Sequence, residues 1–222
     1  MESTNLESRI RLLKNELFSM NKLAITMLNR ILEMISNGNM AIINEIINME
    51  NDMNQLQLDL DTECYKLMEI GKLRGFNFRL VITILHNTNN MERIGDQITN
   101  IYGFLENFLK LDSIDKLKDV LELGKIIQNS LEKVLSIFME MRNKLELKTV
   151  FSVEEKVDDL AFKMIDSVLN NSNMLKENSR IWKILIIRSL ERIGDQVTNI
   201  AENINFIYTG IDIRHGNFQK IK

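Results

Sequence analysis

The stretch MERIGDQITNI at residues 91–101 returns almost unchanged as LERIGDQVTNI at residues 190–200. The two copies lie 99 positions apart, and nine of the ten residues that begin at Glu92 match those that begin at Glu191. Each copy places a glycine in a segment of helical periodicity, between two carboxylates four residues apart. Both features lower the stability of an isolated helix. Their repetition indicates an internal duplication in which this pattern has a role.

Each copy belongs to an apolar seam of helical spacing. The seam residues recur every three or four positions, as in helices that pack side by side at a shallow angle. They are Met91, Ile94, Ile98, Ile101, Leu105 and Phe108 in the first half, and Leu190, Ile193, Val197, Ile200, Ile204 and Ile207 in the second.

The segments that precede the two copies also match. Their apolar faces consist of Met49, Met53, Leu56 and Leu60 in the first half, and Val153, Val157, Leu160 and Met164 in the second. Pairing Glu50 with Glu154 gives an offset of 104 instead of 99. We therefore expect a connecting turn in the second half that is about five residues shorter.

The composition favours an all-helical protein. The 222 residues include no proline and only nine glycines, and 45% are hydrophobic while 6% are aromatic, which predicts an aliphatic helical core. Ser113 and Ser152 are expected to begin helices, because acidic residues follow each of them. The six predicted helices span about 4–36, 40–70, 76–110, 113–147, 151–175 and 178–208. The break between the fourth and the fifth is expected within LELKT at residues 145–149.

These patterns together predict an all-α tandem of two three-helix bundles, with residues 1–111 in the first and 112–222 in the second. The net charge of −3 and the lack of a basic stripe argue against nucleic-acid binding. The single Cys64 excludes an internal disulfide and thiolate-rich zinc sites. No secretion signal and no membrane-spanning run is recognisable, so we expect a soluble, cytoplasmic protein without membrane insertion.

Acidic side chains form matching rows in the second half. Glu191 and Asp195 are four residues apart, and Asn199 continues the row one turn later. Glu154 and Asp158 have the same spacing on the preceding helix. If the two helices form an antiparallel hairpin, Glu154 and Asp158 face the other three side chains at the same height.

The first half repeats this arrangement with one charge fewer. Glu92, Asp96 and Asn100 correspond to the row of the second half, and hairpin geometry places Glu50 opposite Asp96. Asn54 stands where the second half has an aspartate, and Asp61 lies further along the same helix. We therefore expect the second-half site to bind more tightly. The first-half candidates are Glu50, Asp61, Glu92, Asp96 and Asn100.

Carboxylates that converge at one level repel each other unless a cation lies between them. Ligand sets made only of oxygen suit hard cations such as Mg²⁺, Mn²⁺, Ca²⁺ or iron. No Glu-x-x-His pattern of a ferritin-like di-iron site is present, so redox chemistry has no support. Gly95 and Gly194 are interpreted as leaving space for a neighbouring helix or a bound ion. His215 is a candidate for an additional ligand or for a cap at the chain end.

No catalytic constellation is recognisable. The sequence has no glycine-rich phosphate loop and no nucleophile–histidine pair in reach. A metal held by carboxylates can activate water, so a metal-dependent hydrolase is one alternative. A scaffolding helical repeat whose acids are simply solvated surface is another. We prefer a binding role and expect a non-enzyme.

The sequence resembles the PhoU family of phosphate-uptake regulators. The segment LERIGDQVTNIAENINFIYTGIDIRH at 190–215 looks like the carboxy-terminal signature of that family. The segments NQLQLDLDTEC at 54–64 and FRLVITILHNTNNMERIGDQ at 78–97 are similar to its first repeat. The resemblance covers most of residues 45–215. Asn77 departs from the aspartate usual in the family, whereas Arg79 follows the pattern.

The resemblance implies two three-helix bundles in tandem, with Glu/Asp-x-x-x-Asp motifs that hold metal ions. These motifs correspond here to the pairs Glu154–Asp158, Glu191–Asp195 and Glu92–Asp96. The implied cofactor is an iron, magnesium, manganese or zinc ion, with its identity left open. The implied function is negative regulation of the phosphate response, as a dimeric adaptor between the ATPase subunit of the phosphate transporter and a membrane sensor kinase. A regulator of a different transporter remains an alternative.

Overall fold

The computed structural model of the chain describes residues 2–140, 144–170 and 175–213. These residues form six α-helices and contain no β-strand, so the predicted all-α class is confirmed. No helix among them has an apolar stretch long enough to cross a bilayer. The helices are α1 (Glu2–Asn37), α2 (Ile43–Glu69), α3 (Gly75–Leu109), α4 (Val120–Glu140), α5 (Lys144–Asn170) and α6 (Glu177–Thr209).

The helices form two three-helix units that share one core. Within each unit all three helices contact one another, and the most extensive packing in the molecule joins α3 of the first unit to α6 of the second. The two helices are antiparallel, because Arg79 contacts Ile207 while Thr83, further along α3, contacts Asn203. The apolar core runs through both units without a break. The division of the chain at residues 111 and 112 stays a prediction.

The two apolar seams are buried as the periodicity predicted. All residues of both seams are at most 1% exposed. The corresponding faces of α2 and α5 are buried less completely, since Leu56, Val153 and Leu160 are only partly covered. The seam residues therefore form the interior of the two bundles, and α2 and α5 pack against the seams with faces that are partly exposed.

The predicted break between the fourth and fifth helices at residues 145–149 is wrong. Helix α5 begins at Lys144, and Leu147 and Val150 are buried on the same side as Val157. This apolar face continues the helix through a segment whose polar residues resemble a loop. Ser152 accordingly begins no helix, and its Oγ donates to the carbonyl of Thr149 at 2.9 Å within α5.

Ser113 does begin a helical segment, but a short one. Its side chain accepts a hydrogen bond from the backbone N–H of Asp115 and caps a 3₁₀ turn, Ile114–Leu117. Helix α4 starts only at Val120, so the predicted helix over 113–147 is divided. The acidic residue at the second position of the turn contributed to the prediction of a longer helix at this point.

Arg79, near the start of α3, forms a hydrogen bond with the end of α6. Its Nε donates to the carbonyl of Ile207 at 2.8 Å, one of the last carbonyls of α6. The next turn ends at Gly210, which has a φ of 68° and closes the helix through a bond from its N–H to the carbonyl of Phe206. A cation at the negative end of a helix stabilises this contact.

The two repeated glycines have different surroundings. A Cβ atom added at Gly194 would lie 3.1 Å from Cγ1 of Val157, so α5 approaches α6 closely here. A Cβ atom at Gly95 would meet Met53 and Met27 at 3.6 and 3.7 Å, which is ordinary contact. The expectation that a neighbouring helix needs the space is therefore met at Gly194, while Gly95 has room for a methyl group.

Alanine substitutions should separate close approach from helix propensity. Gly103 lies inside α3 with no other group within 4 Å of an added Cβ atom. We expect Gly103→Ala to raise the free energy of unfolding by about 0.5–1 kcal/mol. Gly194→Ala should raise the free energy of unfolding by less, or lower it, because Val157 has to move to make room for the methyl group. Urea unfolding of both variants measures the difference, and an equal gain at both positions would contradict the close approach.

Candidate metal-binding site

Four acidic side chains of α5 and α6 face each other. Asp158 follows the buried Val157, and Glu191 follows the buried Leu190, so both lie at the edge of the apolar seam. Glu154 and Asp195 lie one turn from them along their helices. The predicted hairpin arrangement places the four residues near enough for their charges to interact, and we call them the α5–α6 carboxylate cluster.

The electrostatics of this cluster are repulsive. Burial raises the pKa of Glu154, and the charges of Asp158 and Asp195 raise it further. Burial also raises the pKa of Asp195, followed by the charges of Asp158 and Glu191. The pKa of Asp158 is raised by burial and then by Glu191. Each of these three carboxylates thus loses part of its water and meets the negative charge of its neighbours.

Two arginines offset part of this repulsion. Nη1 of Arg188 contacts both carboxylate oxygens of Glu191, at 2.8 and 2.6 Å. Its charge also lowers the pKa of Asp158, against the larger effects of burial and neighbouring acids, and Arg192 does the same for Asp195. The positive charge lies at the exposed rim of the cluster, since the side chain of Arg188 is 53% exposed.

The first half has a smaller cluster at the equivalent position. Burial raises the pKa of Glu92, followed by the charges of Asp96 and Glu50, and burial and Glu50 raise that of Asp96. This agrees with the predicted pairing of Glu50 and Asp96. Asn54 donates its amide hydrogen to Glu50 Oε1 at 2.9 Å. An amide therefore occupies the position where the second half has Asp158.

Asp61 has a partner of its own. Its Oδ1 accepts a hydrogen bond from Oγ1 of the buried Thr88 at 2.7 Å. Burial, and then the charges of Asp61 and Glu63, raise the pKa of the Cys64 thiol to about 12. Cys64 is therefore an inert core residue. The assignment of Asp61 as a metal ligand stays a prediction.

The role of the two asparagines at the ends of the rows as metal ligands stays a prediction. Asn199 is half-buried and lies one turn after Asp195 on α6, and the exposed Asn100 lies one turn after Asp96 on α3. His215, the candidate additional ligand, lies outside the described residues.

The donor type of the α5–α6 carboxylate cluster fits a hard cation, but its side chains are not gathered around one point. Within the described ranges, no three histidine, cysteine, aspartate or glutamate side chains lie close enough to hold a metal ion. Binding would require Glu191 to release Arg188 and turn towards Asp158. A cation would relieve the repulsion that, after burial, raises the pKa values of Glu154, Asp158 and Asp195.

Sequence reasoning missed the glutamine that follows each aspartate of the repeat. The Oε1 atoms of Gln97 and Gln196 are buried and accept no hydrogen bond from the described protein atoms. The two residues are 99 positions apart, so the feature belongs to both repeats. The identical glutamine in the two motifs could have indicated this feature from the sequence. The interpretation of the motifs considered only the carboxylates.

Comparison with known proteins identifies the family of the chain. A sequence profile described as the PhoU domain matches residues 17–104 and again residues 120–204. The chain is 24% identical to the phosphate-specific transport system accessory protein PhoU homolog 1 of Thermotoga maritima, and the alignment covers 96% of this chain and 93% of the relative. The PhoU homolog of Pseudomonas aeruginosa is 22% identical, with coverages of 94% and 87%.

Solved structures show the same fold. The phosphate transport system regulatory protein PhoU of Streptococcus pneumoniae superimposes with a TM-score of 0.83 at 19% identity, over 93% of this chain and 98% of that one. PhoU of Pseudomonas aeruginosa gives a TM-score of 0.82 at 18% identity, over 92% and 99% of the two chains. Two matches of one domain profile across most of the sequence, together with this fold, establish that the chain belongs to the PhoU family.

Proposed function

We propose that the chain is a regulatory accessory protein of a phosphate transport system. It acts in the cytoplasm as an adaptor between the ATPase subunit of the transporter and a membrane sensor kinase, and it restrains the phosphate response. The observation that carries this proposal is the PhoU domain profile, which matches both halves of the chain. The relatives in Thermotoga maritima and Pseudomonas aeruginosa are named as accessory proteins of phosphate-specific transport.

The outer surface of α2 and α5 supports a docking role. Leu58 and Tyr65 on α2 are 61% and 57% exposed, and Phe162 and Leu169 on α5 are 69% and 60% exposed. The two pairs are 104 positions apart, the offset that relates these helices. Large apolar side chains exposed at equivalent positions of both repeats are typical of surfaces that partner proteins cover.

The mechanism is stoichiometric. A bundle that binds one state of its partner more tightly than another shifts the partner towards the favoured state, and no covalent step is needed. A homodimer would present the surface of α2 and α5 twice. We therefore propose a binding function without catalysis.

The α5–α6 carboxylate cluster is the proposed metal site. Glu154 and Asp158 on one helix and Glu191 and Asp195 on the other would hold an iron, magnesium, manganese or zinc ion, and Asn199 would add an amide oxygen. The smaller cluster of Glu50, Glu92 and Asp96, with Asn100, would bind more weakly. Metal would tie α5 to α6 and stabilise the surface of α5.

The double variant Asp158→Asn/Asp195→Asn tests the metal site. Without metal it should be slightly more stable than the native protein, by about 0.2–0.5 kcal/mol for each like-charged pair removed. Mn²⁺ should raise the melting temperature of the native protein and leave that of the variant unchanged.

Asp166→Asn is the matched control, because Asp166 is an exposed acid of α5 outside the cluster. This control should keep the full response to Mn²⁺. Arg188→Gln should strengthen Mn²⁺ binding by up to about fivefold, since an exposed ion pair is worth at most about 1 kcal/mol. The same melting shift in the double variant and in the native protein would rule the site out.

The stability of the metal-free protein should depend on pH through this cluster. Because the folded state raises the pKa of Glu154, Asp158 and Asp195, it binds their protons more tightly than the unfolded chain does. Stability from this source is present below the ordinary carboxyl pKa of about 4 and is lost as the pH rises through the raised values. The advantage of the double variant in urea unfolding should therefore be full at pH 7 and vanish near pH 4; an advantage that grows in acid would contradict this.

Capture experiments test the adaptor function. The full chain, immobilised, should retain the transporter ATPase subunit and the sensor kinase from the same cell. Phe162→Ser combined with Leu58→Ser should weaken retention at least tenfold if these exposed residues dock. Lys163→Met, an exposed substitution beside Phe162, is the control and should retain both partners. Failure of the native protein to retain either partner would overturn the adaptor role. Equal retention before and after chelation would show that docking does not depend on a bound metal.

A further inference from the structure

A cavity of about 390 Å³ opens where helix α4 of the second unit meets α1 and α3 of the first. Helix α1 contributes one wall, the first turn of α3 the second, and the last turn of α4 the third. We call it the α1–α3 cavity. Its lining residues are Glu7, Ile10, Arg11, Lys14, Asn15, Phe76, Asn77, Leu80 and Met139.

The wall formed by α1 presents two cations. Arg11 and Lys14 lie three residues apart and therefore on adjacent positions of one helix face. Burial lowers the pKa of Lys14, so its ammonium group has lost water on one side, and no described carboxylate compensates for that loss. Glu7 is the one acidic residue of the lining, and its side chain is exposed at the rim.

The first turn of α3 adds backbone donors. Arg74 provides no side-chain cap for this helix, and the first hydrogen bond into it runs from the N–H of Phe78 to the carbonyl of Arg74. The N–H groups of Phe76 and Asn77 precede that bond and have no acceptor within the helix. Both residues line the cavity, so the positive end of α3 lies beside the same space as Lys14.

The remaining surface of the cavity is apolar. Ile10 and Leu80 form its floor and are 6% and 1% exposed. Phe76 is 42% exposed, and its ring lies at the opening. An exposed phenyl ring beside the partly desolvated Lys14 can take a planar group on its face. Inorganic phosphate alone would leave this apolar surface uncovered.

We propose that the α1–α3 cavity binds a small organic phosphate that carries a planar ring. The phosphate would lie between Lys14, Arg11 and the first N–H groups of α3, and the ring would lie against Phe76. The volume falls within the range of about 300–1,000 Å³ that small-molecule sites occupy. Asn15 and Asn77 offer amide groups to polar edges of the ring.

This site is separate from the carboxylate clusters. Asn77 and Glu92 are 15 residues apart on α3, which at 1.5 Å per residue is roughly 22 Å. Ligand binding in the cavity therefore requires neither a bound metal nor the adaptor role. An experiment can overturn the ligand site, the metal site or the adaptor role without affecting the other two.

Calorimetric titration of the full chain with AMP tests the proposal, with adenosine and inorganic phosphate as partial ligands. AMP should bind saturably with one site per chain and more tightly than either partial ligand. Lys14→Met keeps the length of the side chain and should weaken AMP binding about tenfold. Phe76→Leu should weaken AMP binding about threefold without affecting inorganic phosphate. Lys163→Met on α5 is the matched control and should leave AMP binding unchanged.

Two further variants guard against effects on folding. Arg11→Gln alters an exposed residue and should also weaken AMP binding, whereas Glu7→Gln removes the one acid of the lining and should strengthen it. Circular dichroism melting curves show that each variant is folded. The proposal is overturned if AMP does not bind saturably, if adenosine binds as tightly as AMP, or if Lys14→Met and Lys163→Met have equal effects.

Discussion

The antiparallel packing of α3 on α6 is the contact on which the rest of the structure depends. Each helix is the last of its own three-helix unit, so one pair of helices closes both units and joins them. Buried polar bonds set its register: Asn203 donates to Oδ1 of Asn87 at 2.9 Å, and Thr83 donates to the carbonyl of Asn203 at 3.0 Å. A slip of one turn would leave these groups buried without partners, which costs about 1–3 kcal/mol for each.

The carboxylate clusters follow from this register. Because the apolar seams of α3 and α6 are held in the core, the acids one position beyond a seam residue stay at its edge. There they are partly removed from water and close to the acids of the neighbouring helix. Asp158 and Glu191 cannot move apart without unpacking Val157 and Leu190. The fold thus maintains a repulsion between acids of neighbouring helices, and a bound cation is a physical way to relieve it.

Much of the fold and part of the site could be predicted from sequence. The seam residues are buried as their spacing indicated, and Glu50 lies near Asp96 as hairpin geometry required. The break at 145–149 was wrong because burial of Leu147 and Val150 outweighs the polar residues between them. The partner of Asp61 could not be foreseen either, since the crossing of α2 over α3 decides that the carboxylate meets Thr88.

The sequence by itself determined the number of repeats, the helical class and the rows of acids, because these depend on spacings of three and four residues along one chain. The tertiary structure alone decided which contacts the acidic side chains and their neighbours make. It turns Glu191 towards Arg188, brings Val157 against Gly194 but leaves room at Gly95, and forms a cavity from Lys14 and Phe76. Such features require contacts between helices, and the distance between two helices is set by the packing of all their side chains together.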